Sequence, residues 1–121
     1  AARGGNQSSR YKYAGSNILH EVAWVNGNSG SKTHPVGLKK PNELGIYDMT
    51  GNVWEWCSDS YDENYYKSQS TNPKGPNSGL YRVLRGGSCH NDPDWCHVAY
   101  RIGYMPAEGF YLDGFRCVRT K

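Results

Sequence analysis

Almost no window of this chain sustains an apolar period of 3.6 residues, which by itself rules out a helix bundle. The best candidate is residues 16–25, SNILHEVAWV, which Ser16 or Asn17 would open as an N-cap and Asn26-Gly27 would close. The remaining apolar stretches are short and rich in β-formers, at residues 44–47, 53–57, 81–85, 97–101 and 114–119. Two polar segments, residues 26–35 and 68–79, read as surface loops. The expected fold is α+β, loop-rich and low in helix, on a small twisted antiparallel sheet.

A core for such a fold must come from a few large side chains. Apolar residues make up only 36% of the 121, and mean hydropathy is −0.83, yet the chain carries 15 Gly, 10 Tyr and 4 Trp. Words such as Val53-Trp54-Glu55-Trp56 bury enough surface to order a backbone, so the low hydropathy does not imply disorder. The length accommodates one domain over residues 1–121. A formal charge of +3, with no basic run beyond Lys39-Lys40, argues against nucleic acid as the main partner. No apolar stretch approaches the roughly 20 residues of a transmembrane helix. Cys57, Cys89, Cys96 and Cys117 allow three complete pairings, and their spacings with histidine do not suggest structural zinc.

Four words occur in order: PNELGIYDMTGNVWEW at 41–56, TNPKGP at 71–76, RVLRGGS at 82–88 and GFRCVR at 114–119, with AARGG at 1–5 ahead of them. Together they resemble the formylglycine-generating-enzyme family, also called the sulfatase-modifying-factor family, over nearly the whole chain. The resemblance implies that family's variant of the C-type lectin fold. It also implies that the family's N-terminal portion lies outside this chain, as a possible partner completing the structure.

Asp48 and Glu55 admit two readings. Their oxygens, with turn carbonyls of Gly51 and Val53, would suit calcium as hard ligands. Alternatively Asp48 caps a turn and Glu55 meets an arginine, which the spacing alone favours. The resemblance implies the first, because these four positions match a calcium site of the family, with Asp48 in place of an amide-type ligand.

The two glycines of Arg85-Gly86-Gly87-Ser88 mark a place where the backbone bends or approaches a neighbour closely. In catalytic members of the family two cysteines follow this word, four residues apart, and bind copper(I) to oxidise a substrate cysteine. Here Cys96 holds the second of those positions, but Asn91 holds the first, and six residues separate Cys89 from Cys96. A two-residue offset along an extended chain displaces a thiol by roughly 6 to 7 Å, so the copper-dependent oxidoreductase loses its central support. It survives as the alternative, acting on a thiol substrate with Cys96, Ser88 and Trp54 in the pocket and Cys89 as an unusual first thiolate. Cys89 and Cys96 otherwise read as a local disulfide or as buried free thiols. Cys117 matches a position that is disulfide-bonded in some members, but its usual partner position is Ala2, so that bridge is not expected.

Between His90 and Tyr111 large aromatics alternate with short polar groups, as in binding surfaces that need contact area at low entropic cost. This resembles a non-catalytic branch of the family, the variable proteins of diversity-generating retroelements, in which adenine-containing codons are randomised. An AAY codon can become Tyr, Phe, Asn, Asp, His, Ser, Ile or Gly, but never Trp, Met or Glu. His90, Asn91, Asp92, Asp94, His97, Tyr100, Ile102, Gly103, Tyr104, Phe110 and Tyr111 are compatible with that chemistry; Trp95, Met105 and Glu108 would be constant. The expected function is a binding module whose surface, those positions together with Trp95 but without Gly103, faces a protein ligand. The resemblance suggests display at the cell surface or outside the cell.

Overall fold

The computed structural model describes residues 1–65 and 75–118, so most of the loop at 68–79, the word TNPKGP as far as residue 74, and Arg119 lie outside the described residues. Four strands form one sheet: β1 (Trp54–Ser60), β2 (Arg82–Arg85), β3 (Ile102–Tyr104) and β4 (Asp113–Gly114), in the order β3-β2-β1-β4. β1 and β2 pair antiparallel, as do β2 and β3, but β4 lies parallel to β1. The sheet is therefore mixed, not purely antiparallel. A short parallel pair is available to β4 because a long excursion through β2 and β3 returns the chain along β1 in the same direction.

Helix is scarce, as the missing periodicity requires. The 16–25 window yields a single turn, α1 (Leu19–Val22). Ser16 does work at its entrance, its hydroxyl accepting from Ile18 N–H at 3.0 Å and donating to Glu21 at 2.8 Å. The helix stops at Ala23 because Asn28 satisfies the following backbone, its Oδ1 accepting from Val25 N–H and its Nδ2 donating to Ala23 C=O.

Three of the predicted strands change for equally local reasons. Residues 44–47 form a turn, since Asn42 Oδ1 accepts from both Leu44 N–H (3.0 Å) and Ile46 N–H (3.1 Å). Residues 97–101 turn before β3 begins, and the carbonyls of Val98, Ala99 and Tyr100 gather around Arg85 Nη1 instead of joining a ladder. Of the described residues 114–118, only Gly114 pairs, together with Asp113.

The largest buried cluster is Tyr13, Leu19, Val22, Ala23, Val25 and Cys96, so the loop-rich N-terminal half packs against the segment after β2. Asn52, in the left-handed region at φ 66°, joins these parts. Its backbone bonds Trp24 C=O and Cys89 N–H, and its amide holds both His34 N–H and His34 C=O. Gly86 and Gly87 have φ of 92° and 75°, and a Cβ on Gly87 would lie 2.6 Å from Cys96 Sγ. The predicted bend is thus also a close approach.

Candidate ligand-binding surface

The segment between β2 and β3 starts with a locked turn. Asn91 Oδ1 accepts from Ser88 N–H at 2.8 Å and from Ser88 Oγ at 2.7 Å. Asn91, expected on the binding surface, spends its side chain on this turn. His97 also departs from the expected surface: it packs edge-on against Tyr13 with ring centroids 5.5 Å apart and lines a separate cavity with Trp56, Arg85 and Arg116.

The other predicted residues form two groups, each touching Trp54. Trp95 packs on Tyr100 with centroids 5.3 Å apart, and Tyr100 lies 6.2 Å from Trp54. Trp54 is also the floor of a cavity of about 200 Å³ lined by Leu84, Ile102, Tyr104, Phe110 and Asp113. Trp54 is 7% exposed, whereas Trp95, Phe110 and Tyr111 are 43%, 51% and 69% exposed. Burial of the floor beneath exposed rings gives a wettable rim around an apolar depression.

Beyond Phe110, whose ring centroid is 4.5 Å from that of Tyr111, the surface continues to His90. Ser31 C=O can only accept, so His90 Nε2 carries the proton that bridges them at 2.9 Å. That leaves Nδ1 to accept from the Tyr111 hydroxyl at 3.3 Å. Asp92 and Asp94 are exposed; Asp92 Oδ1 accepts from Asn26 Nδ2 at 3.3 Å, and Asp94 Oδ1 lies 3.8 Å from His97 Nε2.

Four contributors escaped the sequence reading. Leu84 and Asp113 line the cavity, and Asp113 Oδ2 accepts from Phe110 N–H at 3.0 Å, fixing the loop that carries the rings. Arg101 rests over the Tyr61 ring at 4.9 Å, and a Cβ on Gly103 would collide with that same ring. Gly103 therefore belongs to the scaffold despite its compatible codon. Asp113 had a signal in its place beside the GFRCVR word; Tyr61 had none.

The candidate catalytic side chains are enclosed. Cys89 and Cys96 are 0% exposed and Ser88 is 1% exposed, and all four cysteines are unpaired. Burial, reinforced by Asp92, pushes the Cys96 thiol up to about 12, and burial raises Cys89 as well. Both remain protonated near neutrality, and nucleophilic attack needs the thiolate. Asn91, at the first cysteine position of the catalytic members, offers an amide already bonded to Ser88.

At the expected calcium turn, Asp48 has φ 57° and its Oδ2 accepts from Gly37 N–H at 2.7 Å. Glu55 receives Arg116 Nε at 2.7 Å and Nη2 in a second close contact, while Nη2 also reaches Tyr47 C=O (3.1 Å) and Asp48 C=O (3.2 Å). The hydrogen bonds that Arg116 donates to Glu55 raise the Arg116 pKa above its ordinary value. Asp48 thus caps the turn and Glu55 pairs with Arg116, while Asp48, Gly51, Val53 and Glu55, the four residues of the expected calcium set, line one cavity together with Arg116.

A family model described as the sulfatase-modifying factor enzyme 1-like domain matches residues 1–121. Among solved structures, Treponema denticola variable protein 1 superposes with a TM-score of 0.81 at 41% identity, covering 94% of this chain and 41% of that one. The formylglycine-generating enzyme of Streptomyces coelicolor is 44% identical over 91 residues, covering 70% of this chain and 28% of the enzyme. Chaperone protein LppX of Paenibacillus barcinonensis is 36% identical over 139 residues, covering 100% of this chain and 46% of LppX. The chain spans less than half the length of each of these relatives.

Proposed function

Because this chain belongs to the sulfatase-modifying factor enzyme 1-like domain family, we propose that it uses that scaffold as a non-catalytic binding module of the variable-protein kind. The observation that carries this reading is the contrast between enclosed thiols and displayed rings. Ser88, Cys89 and Cys96 lie inside the fold, while Trp95, Phe110 and Tyr111 are exposed, Phe110 lining a depression floored by Trp54, Tyr111 packed on Phe110 and Trp95 on Tyr100. The ligand is a protein, met at the cell surface or outside the cell, that inserts an apolar side chain between Ile102, Tyr104 and Phe110. Asp92, Asp94 and Glu108 nearby are exposed carboxylates, so basic groups on the partner complement them. Similarity to Treponema denticola variable protein 1 supports the reading, and similarity to formylglycine-generating enzymes reflects the shared scaffold.

The test is the coding sequence in sibling strains and the DNA beside it. Adenine-directed substitutions should fall on Asp92, Asp94, Tyr100, Ile102, Tyr104, Phe110 and Tyr111, with a near-repeat of this stretch and a reverse-transcriptase gene close by. Asn91, Cys96 and Gly103 should stay constant. Stoichiometric copper(I) binding that Cys96→Ser abolishes, with an invariant His90–Tyr111 segment, would overturn the proposal.

A further inference from the structure

The Asp48–Glu55 turn is lined with oxygen, and the group in contact with those oxygens is a side chain of this chain. Arg116 presents a planar fork to the Glu55 carboxylate and turns Nη2 toward the carbonyls of Tyr47 and Asp48. A guanidinium so placed has what a bound cation seeks: a carboxylate and two backbone oxygens. The second acid of the turn, Asp48, is anchored through Oδ2 by Gly37 N–H and lines the same cavity as Glu55 and Arg116. Calcium at Glu55 would have to share that carboxylate with Arg116 and place a divalent ion beside a positive guanidinium.

We propose that Arg116 is the resident cation of this turn, so that the turn is ordered without calcium and the segment after β4 is latched to the start of β1. The latch joins residues 61 to 69 positions apart in sequence. It closes beside the two-residue ladder pairing Trp54 with Asp113 and Glu55 with Gly114. Asp113 in turn fixes Phe110 N–H, so the latch supports the loop that carries the exposed rings. This inference is independent of what the surface binds.

Thermal unfolding of the purified protein in millimolar calcium and in EGTA tests it, run alongside Arg116→Ala, Arg116→Lys and Glu55→Gln. The wild-type midpoint should be the same in both buffers. Arg116→Ala should melt several degrees lower and become calcium-sensitive, because it frees the Glu55 carboxylate. Should Arg116→Ala fail to fold, Arg116→Lys, which keeps the charge but loses the fork, carries the same expectation of a lower midpoint. A wild-type rise of several degrees in calcium that Glu55→Gln removes would overturn the proposal. An unchanged midpoint in Arg116→Ala, with no response to calcium, would overturn it too.

Discussion

Gly103 shows most plainly how a single residue is governed by its surroundings. Glycine is among the residues a randomised AAY codon can encode, yet any Cβ there meets the Tyr61 ring. Gly103→Ala is expected to cost about 1–3 kcal/mol in denaturant unfolding, and most of that cost should vanish in a Tyr61→Ala background. Cys96 is governed by burial instead. Its folded-state pKa of about 12 exceeds the ordinary 9.0, so the protonated thiol is favoured by folding. That contribution is fully present below about pH 9 and is lost as pH rises toward about 12. Alkaline melts should therefore steepen over this window, and Cys96→Ala should flatten them. Thiol labelling near neutrality should reach exposed Cys117 first and leave Cys89 and Cys96 unmodified until unfolding.

Among the elements, the turn from Asp48 to Asn52 has the most work to do. Asp48, Gly51 and Asn52 all take positive φ within five residues, and Asn52 then bonds three separate segments through Trp24, His34 and Cys89. Asn52→Gly keeps the left-handed backbone accessible and removes only the two side-chain bonds to His34. A loss of about 1–3 kcal/mol is expected for it, and a larger one for Asn52→Ala, which adds backbone strain; chemical denaturation of both variants measures the difference. The strand over 53–57 was legible because alternating aromatics form a periodic signal, as was the bend at Gly86-Gly87. Residues 44–47 and 97–101 were not, since their backbones answer to Asn42 and Arg85, side chains outside each segment. Composition scores residues where they stand and is blind to a donor or acceptor outside the segment.

Across the whole molecule, the loop-rich half packs on Cys96, the sheet supplies Trp54 and Leu84 as a floor, and the returning chain sets Phe110 and Tyr111 above it. Tyr100 packs between Trp54 and Trp95, and Tyr104 lines the cavity, so replacing both with Ala removes contact area from both groups. The double variant is expected to lose about 30-fold or more in affinity, roughly 2 kcal/mol, for a partner selected from a displayed peptide library. Equal affinity for wild type and variant, measured well below both melting points, would take these two residues out of the site.

The sequence by itself determined the family, the scarcity of helix, the bend at Gly86-Gly87 and the loss of one cysteine from the catalytic spacing, because these depend on residue identity and order alone. Only the tertiary structure decided which side chains face outward and which charges meet. Asn91 and His97 turn from the surface, Gly103 is held by Tyr61, and Glu55 is taken by an arginine 61 residues away. Burial and ion pairing are properties of neighbours in space, and in a chain with so little periodic structure those neighbours are set by long-range packing rather than by local order.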